Sequence, residues 1–252
     1  MKSEWITLAV TPAEEEECRG LGLRLLHLGY RLSPAGMLLK SRRLEQVRGG
    51  ILGIVGEFPE GADPASAAAS VADACRAAEA EGVFLDFTQP TAGAARLLES
   101  LTPGLSALGA RLYTNPPLHG PGASPLSTSE VTGGSFALYL SELQERYGER
   151  AVLEIVPLAV DFALPSMGQG EPVSRERLEE LLDACGPGYY SRELAARYLT
   201  YQAPDGGAHF VLYDDAGTLR EKLETARRQG IREAFLPYGP LRELLPDILL
   251  SE

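Results

Sequence analysis

The sequence predicts an α/β fold with a parallel sheet, of a size that fits one eight-stranded α/β barrel. Short apolar runs typical of buried strands alternate with helical patterns of about a dozen residues, an order that produces parallel pairing through crossover helices. The 252 residues suffice for a sizeable core in a single domain, residues 1–252, and we find no linker or internal repeat. Asp86 stands near the C-terminal end of a predicted strand, where α/β barrels carry their chemistry.

The composition is that of an ordinary globular protein and argues against several functional classes. Hydrophobic residues make up 44% of the chain and charged residues 23%. The formal charge of −12, without a long run of lysine or arginine, argues against nucleic acid and anionic membranes as partners. Cys18, Cys75 and Cys185 are odd in number and far apart, which favours free thiols in a reducing compartment. With three histidines and no cysteine pair at ligand spacing, we expect neither a metal site nor a cofactor.

The N-terminal sequence Met-Lys-Ser-Glu-Trp-Ile-Thr lacks the apolar core of a signal peptide. No apolar run approaches the ~20 residues that are needed to span a bilayer. We therefore expect a protein that is cytoplasmic as synthesised and has no membrane partner. Association with a spore or a cell envelope stays open, as does the oligomeric state.

Apolar and aromatic runs predict five strands in the first half of the chain, at residues 5–10, 24–30, 50–56, 81–89 and 111–115. A proline followed by glutamates predicts a helix start over 13–18, and an alanine-rich stripe predicts a helix over 64–80. A further amphipathic helix over 94–108 is expected to be interrupted near Pro103, because an interior proline removes a helical hydrogen bond.

The second half continues the alternation after a stretch of unclear type. Residues 118–134 are rich in proline, glycine, serine and threonine, which predicts either a functional lid or an eroded strand–helix unit. The predicted helices are 136–148, 174–184 with Ser174 as N-cap, and 218–229 closed by Gly230. The predicted strands are 152–160, two that flank a turn at 204–207 within a small insertion over 186–213, and 233–238.

The strand at 81–89, Glu-Gly-Val-Phe-Leu-Asp-Phe-Thr-Gln, resembles the signature strand of the family 18 glycoside hydrolases (chitinase-like), Asp-x-x-Asp-x-Asp-x-Glu. On that pattern Glu81 and Phe84 take the first two acidic positions, and Asp86 keeps the third. In that family this Asp orients the substrate's own N-acetyl group, and the terminal Glu protonates the glycosidic oxygen. Here the terminal position is Thr88, whose hydroxyl has no usable acidity near neutral pH. The resemblance therefore implies a catalytically silent barrel.

Two later stretches are also similar to motifs of that family, closest to its spore-associated bacterial branch. Residues 209–222 resemble "His-x-x-Trp-Tyr-x-Asp-x-x-Ser-x-x-x-Lys", and residues 157–162 resemble "Pro-Leu-Tyr-Gly-x-Asp-Trp". In the final strand, where the family keeps a Trp as the floor of the sugar site, this chain has Pro237. The family's Met-x-Tyr-Asp strand is not visible. The resemblance thus implies a (β/α)8 TIM-type barrel that is irregular or short of its sixth strand, with a small α+β insertion before the last helix.

By this resemblance, a glycan that contains N-acetylglucosamine, or a peptidoglycan-like sugar, is expected to bind at the C-terminal ends of the strands. The expected ligand-binding residues are Asp86, Thr88, Gln89, Tyr113, Asn115, Asp161 and Tyr238. Tyrosine offers an apolar face for sugar stacking and a hydroxyl for hydrogen bonding, but Tyr113 and Tyr238 fit a buried core equally well.

Two other functions stay open at this point. An active hydrolase would need a relocated acid, for which Glu57 after the third strand is the first candidate and Glu154 the second; the competing interpretation makes Glu57 a surface residue. A structural or interaction protein of a spore or cell envelope would use the barrel as a scaffold. A second carboxylate that faces Asp86 would favour catalysis, whereas a filled apolar mouth would favour the scaffold.

Overall fold

The computed structural model describes residues 5–44, 47–165, 168 and 170–249, and in these residues the chain forms a closed barrel with a second, smaller sheet. The ring closes because the first strand pairs in parallel with both the second and the last strand. In ring order the strands are β1 (Ile6–Val10), β2 (Arg24–Leu32), β4 (Ile51–Gly56), β5 (Gly82–Phe87), β6 (Arg111–Thr114), β7 (Ala123–Thr128), β8 (Val152–Glu154) and β14 (Ala234–Pro237). Outside the ring, β3 (Leu38–Lys40) pairs antiparallel with β2. The predicted (β/α)8 barrel is confirmed, with all eight strands present.

Most connections between barrel strands contain a helix. The helices are α1 (Glu15–Cys18), α2 (Pro64–Ala77), α3 (Ala92–Ala107), α4 (Phe136–Tyr147), α5 (Arg175–Cys185), α6 (Ala216–Arg228), α7 (Tyr238–Leu241) and α8 (Leu245–Leu249). The five long helices begin at side chains that accept a hydrogen bond from a backbone N–H of the first turn, the usual N-cap contact. These caps are Asp63, Thr91, Ser135, the predicted Ser174, and Asp215.

The barrel interior is filled by a cluster of seven buried side chains from seven of its strands, which makes it a packed core rather than a channel. These are Leu26, Ile51, Phe84, Tyr113, Leu126, Val152 and Phe235. The rings of Phe84 and Phe235 meet edge to face at 6.4 Å between centroids. Two larger clusters pack the outer side of the strands against the helices.

A network of charges closes the N-terminal end of the barrel, where the strands begin. Glu233 is buried there and pairs with Arg24 and with Arg111, whose Nη1 lies 2.5 Å from Glu233 Oε2. The hydroxyl of Tyr113 donates to Glu233 Oε1 at 2.7 Å. Arg24 Nε also donates to Thr7 Oγ1 at 2.7 Å. Both oxygens of this carboxylate are therefore paired.

The second sheet is antiparallel and has five strands. In sheet order they are β10 (Glu171–Pro172), β9 (Ala159–Ala163), β13 (Ala208–Tyr213), β12 (Ala196–Gln202) and β11 (Tyr189–Ser191). The helix α5 covers one face, where Leu181 packs with Leu199 and Val211. The predicted turn at 204–207 joins β12 to β13, with Gly206 at a positive φ of 89°. The expected insertion, 186–213, holds three of the five strands, and β9 and β10 precede it.

Residues 118–134, expected to be a lid or an eroded unit, contain the sixth barrel strand, β7. Its sequence is Ala-Ser-Pro-Leu-Ser-Thr, so Leu126 is the one large apolar side chain that it places in the barrel core. Because most of its other residues are serine, proline and threonine, the strand does not form an apolar run that would predict it. Between β6 and β7, where every residue is described, the chain forms no helix, so the barrel is irregular at this unit.

Two other expectations were wrong in detail. The helix α3 continues through Pro103, because buried leucines on both sides of the proline, including Leu101 and Leu105, hold it against the core. The single strand expected over 152–160 is two strands, β8 in the barrel and β9 in the second sheet. The chain leaves the barrel between them, and Leu158 there accepts a backbone hydrogen bond from Asp214 at 2.8 Å.

Candidate functional site

The C-terminal ends of the eight parallel strands meet at one end of the barrel, here called the mouth. A cavity of about 390 Å³ opens at the mouth, next to the cluster of core side chains. Its polar lining residues are Asp86, Thr88, Asn115 and Glu154. Its other lining residues are apolar and are Ala9, Leu26, Leu28, Phe84, Phe87, Pro116, Pro117, Leu126, Phe235 and Pro237. A concave, mostly apolar cavity with a few convergent polar groups is the usual form of a small-molecule site.

Asp86 lies next to Asn115 because β5 and β6 are parallel neighbours. Leu85 pairs with Thr114 in their register, so the next residue of each strand stands beside the other at the mouth. Asn115 Nδ2 donates to Asp86 Oδ1 in a short hydrogen bond. The other oxygen of Asp86 has no hydrogen-bond partner among the described residues, and the side chain is half-buried. The carboxylate is thus oriented by one bond and still open towards the cavity.

Thr88 lies just beyond β5 and is exposed at the rim of the same cavity. Side chains of a strand alternate between its two sides, so Phe84, Asp86 and Thr88 point inwards in order from the core to the rim. The hydroxyl of Thr88 therefore stands where the signature strand would place its terminal carboxylic acid.

Glu154 is the second carboxylate at the mouth. It is the last residue of β8, is half-buried and lines the cavity. No hydrogen bond or ion pair reaches its carboxylate from the described part of the chain. Burial raises the pKa of this carboxyl, and the negative charges of Asp86 and then Glu130 raise it further. A carboxyl of this kind retains its proton to higher pH than an exposed glutamate does.

The backbone around Glu154 is held from two sides. Ser129 N donates to the carbonyl oxygen of Glu154 at 2.9 Å, and the Ser129 hydroxyl bonds to Val156. The carbonyl of Ser129 accepts from Lys222 Nζ at 3.2 Å, and Lys222 lies 2.7 Å from Asp214. Lys222 and Asp214 are both fully buried, so this ion pair ties α6 and the second sheet to the strand ends beside Glu154.

The other predicted site residues lie away from the cavity or outside its lining. Gln89 is exposed beyond Thr88 and does not line it. Tyr113 is fully buried in the core, with its hydroxyl directed to Glu233 at the opposite end of the barrel. Tyr238 is the first residue of α7, where it is buried against the outer core cluster. Asp161 lies on β9 of the second sheet, where Tyr201 donates to it at 2.6 Å and His209 Nδ1 lies 3.0 Å away.

The relocated acid ranked first from the sequence is also outside the cavity. Glu57 follows β4, is exposed and is not among the lining residues. Glu154, ranked second, lines the cavity together with Asp86. A strand end predicted at Glu154 would have ranked this residue higher. The sequence does not predict that end, because the apolar run continues to Val160.

Within the described residues, no group of three or more His, Cys, Asp or Glu side chains is arranged to hold a metal ion. Cys18, Cys75 and Cys185 are free. A helix of the length and apolar character needed to cross a bilayer is also not found in this part of the chain.

No protein-family profile matches this chain, and no curated protein matches it by sequence. Solved structures, by contrast, match it over nearly its whole length. The spore cortex-lytic enzyme SleL of Bacillus cereus is 15% identical over 99% of this chain and 75% of its own, with a TM-score of 0.63. A chitinase from Chromobacterium violaceum is 14% identical over 98% of this chain and 99% of its own, with a TM-score of 0.64.

A family 18 chitinase mutant from Cycas revoluta, solved with (GlcNAc)4, is 14% identical over 97% of this chain and 98% of its own, with a TM-score of 0.65. At such low identities the likeness shows the fold alone. The chain has the barrel fold of chitinase-like family 18 glycoside hydrolases.

Proposed function

We propose that this chain, which is folded like the chitinase-like family 18 glycoside hydrolases, binds a glycan with N-acetyl amino sugars at the mouth of its barrel. The observation that carries the proposal is the Asp86–Asn115 pair inside the cavity of about 390 Å³. One oxygen of Asp86 accepts from Asn115, and the other has no hydrogen-bond partner among the described residues and is available to a ligand. A carboxylate held in this way can accept a hydrogen bond from an acetamido N–H or a sugar hydroxyl.

The remaining lining of the cavity fits the two faces of a sugar ring. Phe84, Leu126 and Phe235 give an apolar floor that suits the C–H groups of a pyranose, and Thr88 and Glu154 add polar groups at the wall. The volume is at the small end of the usual range for ligand cavities, which favours a chain end or a short segment of glycan over a long one.

The proposal does not include the family's usual proton donor. Thr88 stands at that position, and its hydroxyl cannot replace a carboxylic acid in leaving-group protonation. Pro237 lines the cavity where the family keeps its Trp floor, so stacking is reduced and binding is expected to be weaker than in a typical chitinase.

The similar solved structures suggest the class of glycan. Their names describe a spore cortex-lytic enzyme and chitinases, one of them solved with (GlcNAc)4. We infer that the ligand is chitin-like or peptidoglycan-like, and that spore or envelope association would follow from such a ligand. An open cavity with two carboxylates counts against a purely structural role for the barrel.

Calorimetry with chitotetraose tests this proposal. We expect measurable heat for the wild-type protein and a loss of affinity of about tenfold or more in Asp86→Ala, because a hydrogen bond to a charged group is removed. The matched control is Glu57→Ala, which removes an exposed carboxylate outside the cavity and should bind as the wild type does. Cellotetraose, which lacks acetamido groups, should bind more weakly than chitotetraose. No heat at millimolar chitotetraose or peptidoglycan fragments would remove the proposal.

A further inference from the structure

The mouth carries its two carboxylates on different walls. In the ring, β5 with Asp86 and β8 with Glu154 are separated by two strands, β6 and β7, on one side and by four on the other. Both side chains line the same cavity, and no lysine or arginine is among the lining residues. A sugar in the cavity would therefore lie close to both carboxylates.

The two carboxyl groups differ in their surroundings. Asp86 accepts a hydrogen bond from Asn115. Glu154 has no such donor among the described residues, and both burial and the charge of Asp86 raise its pKa. A carboxyl group whose pKa is raised by burial can serve as the acid of a glycosidase beside a partner carboxylate.

The backbone that carries Glu154 is fixed in place. Its carbonyl oxygen accepts from Ser129 N at 2.9 Å, and the next residue, Ile155, donates its N–H to Phe235 O at 2.8 Å. The buried Lys222 then holds the carbonyl of Ser129. Positioning by such a supporting shell is a general requirement for a functional carboxyl group.

We propose that Glu154 is the general acid of a glycosidase activity at this mouth, a role that Thr88 cannot perform. The inference rests on the proposed binding of an N-acetyl amino sugar. The Glu154 carboxyl gives its proton to the glycosidic oxygen as the C1–O bond breaks, and the leaving sugar departs as an alcohol. The carbonyl oxygen of the substrate's own acetamido group bonds to C1, and the Asp86 carboxylate accepts from the acetamido N–H. Water then adds to C1, which opens the ring that the acetamido oxygen had formed with C1, and a proton of this water returns to Glu154. One water is consumed for each glycosidic bond cleaved.

Turnover and binding of the same proteins test this inference together. The substrates are chitotetraose, whose leaving sugar needs a proton, and 2,4-dinitrophenyl N-acetyl-β-glucosaminide, whose leaving group does not. In Glu154→Gln we expect kcat for chitotetraose to fall by about 100-fold or more, while dinitrophenol release and the calorimetric Kd stay within about threefold of wild type. Glu57→Gln, an exposed residue outside the cavity, should match the wild type in all three measurements.

The pH profile gives a second readout that a merely structural role of Glu154 would not change. The alkaline limb of chitotetraose turnover should be present in the wild type and absent from the residual activity of Glu154→Gln. The charged groups that act on Glu154 are Asp86 and Glu130, so Glu130→Gln should move this limb to lower pH.

Four results would overturn the inference. Wild-type protein that binds chitotetraose without cleaving it would show a binding site with no acid, and would leave the proposed function standing. Cleavage that survives in Glu154→Gln would assign the proton to another group. An equal loss of turnover of both substrates in a folded Glu154→Gln variant would show that Glu154 maintains the site without acting as the acid. Absence of binding and of turnover together would remove the proposed function as well.

Discussion

Each end of the barrel contains a buried or half-buried glutamate, and the two glutamates differ in whether their carboxylates have hydrogen-bond and ion-pair partners. At the N-terminal end, Glu233 is paired through both oxygens with two arginines and a tyrosine hydroxyl. At the mouth, Glu154 has no partner in the described residues, and Asp86 is paired through one oxygen only. A buried carboxylate whose oxygens all have partners stabilises the fold. A carboxylate that is buried without partners lowers stability, and such groups are found at sites that bind a ligand.

The largest predicted effect concerns the ion pair that supports the mouth. Lys222→Met leaves the carboxylate of Asp214 buried without its cation, and we expect a loss of about 3–5 kcal/mol in the free energy of unfolding. Urea unfolding measures it. The double variant Asp214→Leu with Lys222→Met should recover part of the loss, because no unpaired charge then remains. A single variant that loses less than about 1 kcal/mol would contradict the role given to this pair.

A somewhat smaller loss is expected at the N-terminal end. Glu233→Gln removes the charge that two arginines share and should cost roughly 2–3 kcal/mol, less than a fully buried pair because Arg111 is 42% exposed. The thermal midpoint should fall by about 2–4 °C for each kcal/mol. Glycan binding should not change, since Glu233 lies at the other end of the barrel. Altered glycan binding in a folded Glu233→Gln variant would contradict the assignment of stability to one end of the barrel and of binding to the other.

At the mouth, the glutamate-to-glutamine substitution should raise the free energy of unfolding instead of lowering it. The raised pKa of Glu154 means that the folded chain keeps this proton above the ordinary value of 4.5, so its contribution to stability is lost as pH rises through the folded pKa. Glu154→Gln should therefore equal the wild type near about pH 4 and exceed it by about 0.5–2 kcal/mol near about pH 8. Urea unfolding at the two pH values measures the difference. A variant that is less stable than wild type at the higher pH would contradict the description of Glu154 as an unsatisfied charge.

The smallest effect is expected at the exposed carboxylate that follows β4. Glu57→Gln should change the free energy of unfolding by less than about 0.5 kcal/mol, because the side chain is exposed and lines no part of the cavity. Calorimetry and urea unfolding together check this. A loss of glycan affinity in Glu57→Gln would show that the ligand extends beyond the cavity described here.

Most of the fold could be predicted from the sequence because its strands and helices carry strong local patterns. The run at 81–89 places Phe84 in the core, Asp86 in the cavity and Thr88 at its rim, as strict alternation requires. The strand β7 could not be found in this way, because in parallel barrels a strand can be buried by its neighbours with only one large apolar side chain, Leu126, of its own.

The candidate site was less predictable than the fold, since it depends on which strand ends meet. Asp86, Thr88 and Asn115 were expected at the mouth and lie there. Tyr113 is a residue type that often contacts sugars, but its ring lies in the barrel core, two residues before Asn115. Glu154 was ranked below Glu57 because the apolar run continues past it, so the end of β8 and the start of β9 could not be told apart without tertiary contacts.

The most direct test of the account is an NMR titration of the wild-type protein with chitotetraose, read at the backbone amides of both barrel ends. We predict saturable shifts at Asp86, Thr88, Asn115 and Glu154, with none above background at Arg24, Arg111 and Glu233. Shifts confined to the N-terminal end or to the second sheet, or no shifts at millimolar sugar, would contradict the assignment of the mouth as the glycan site.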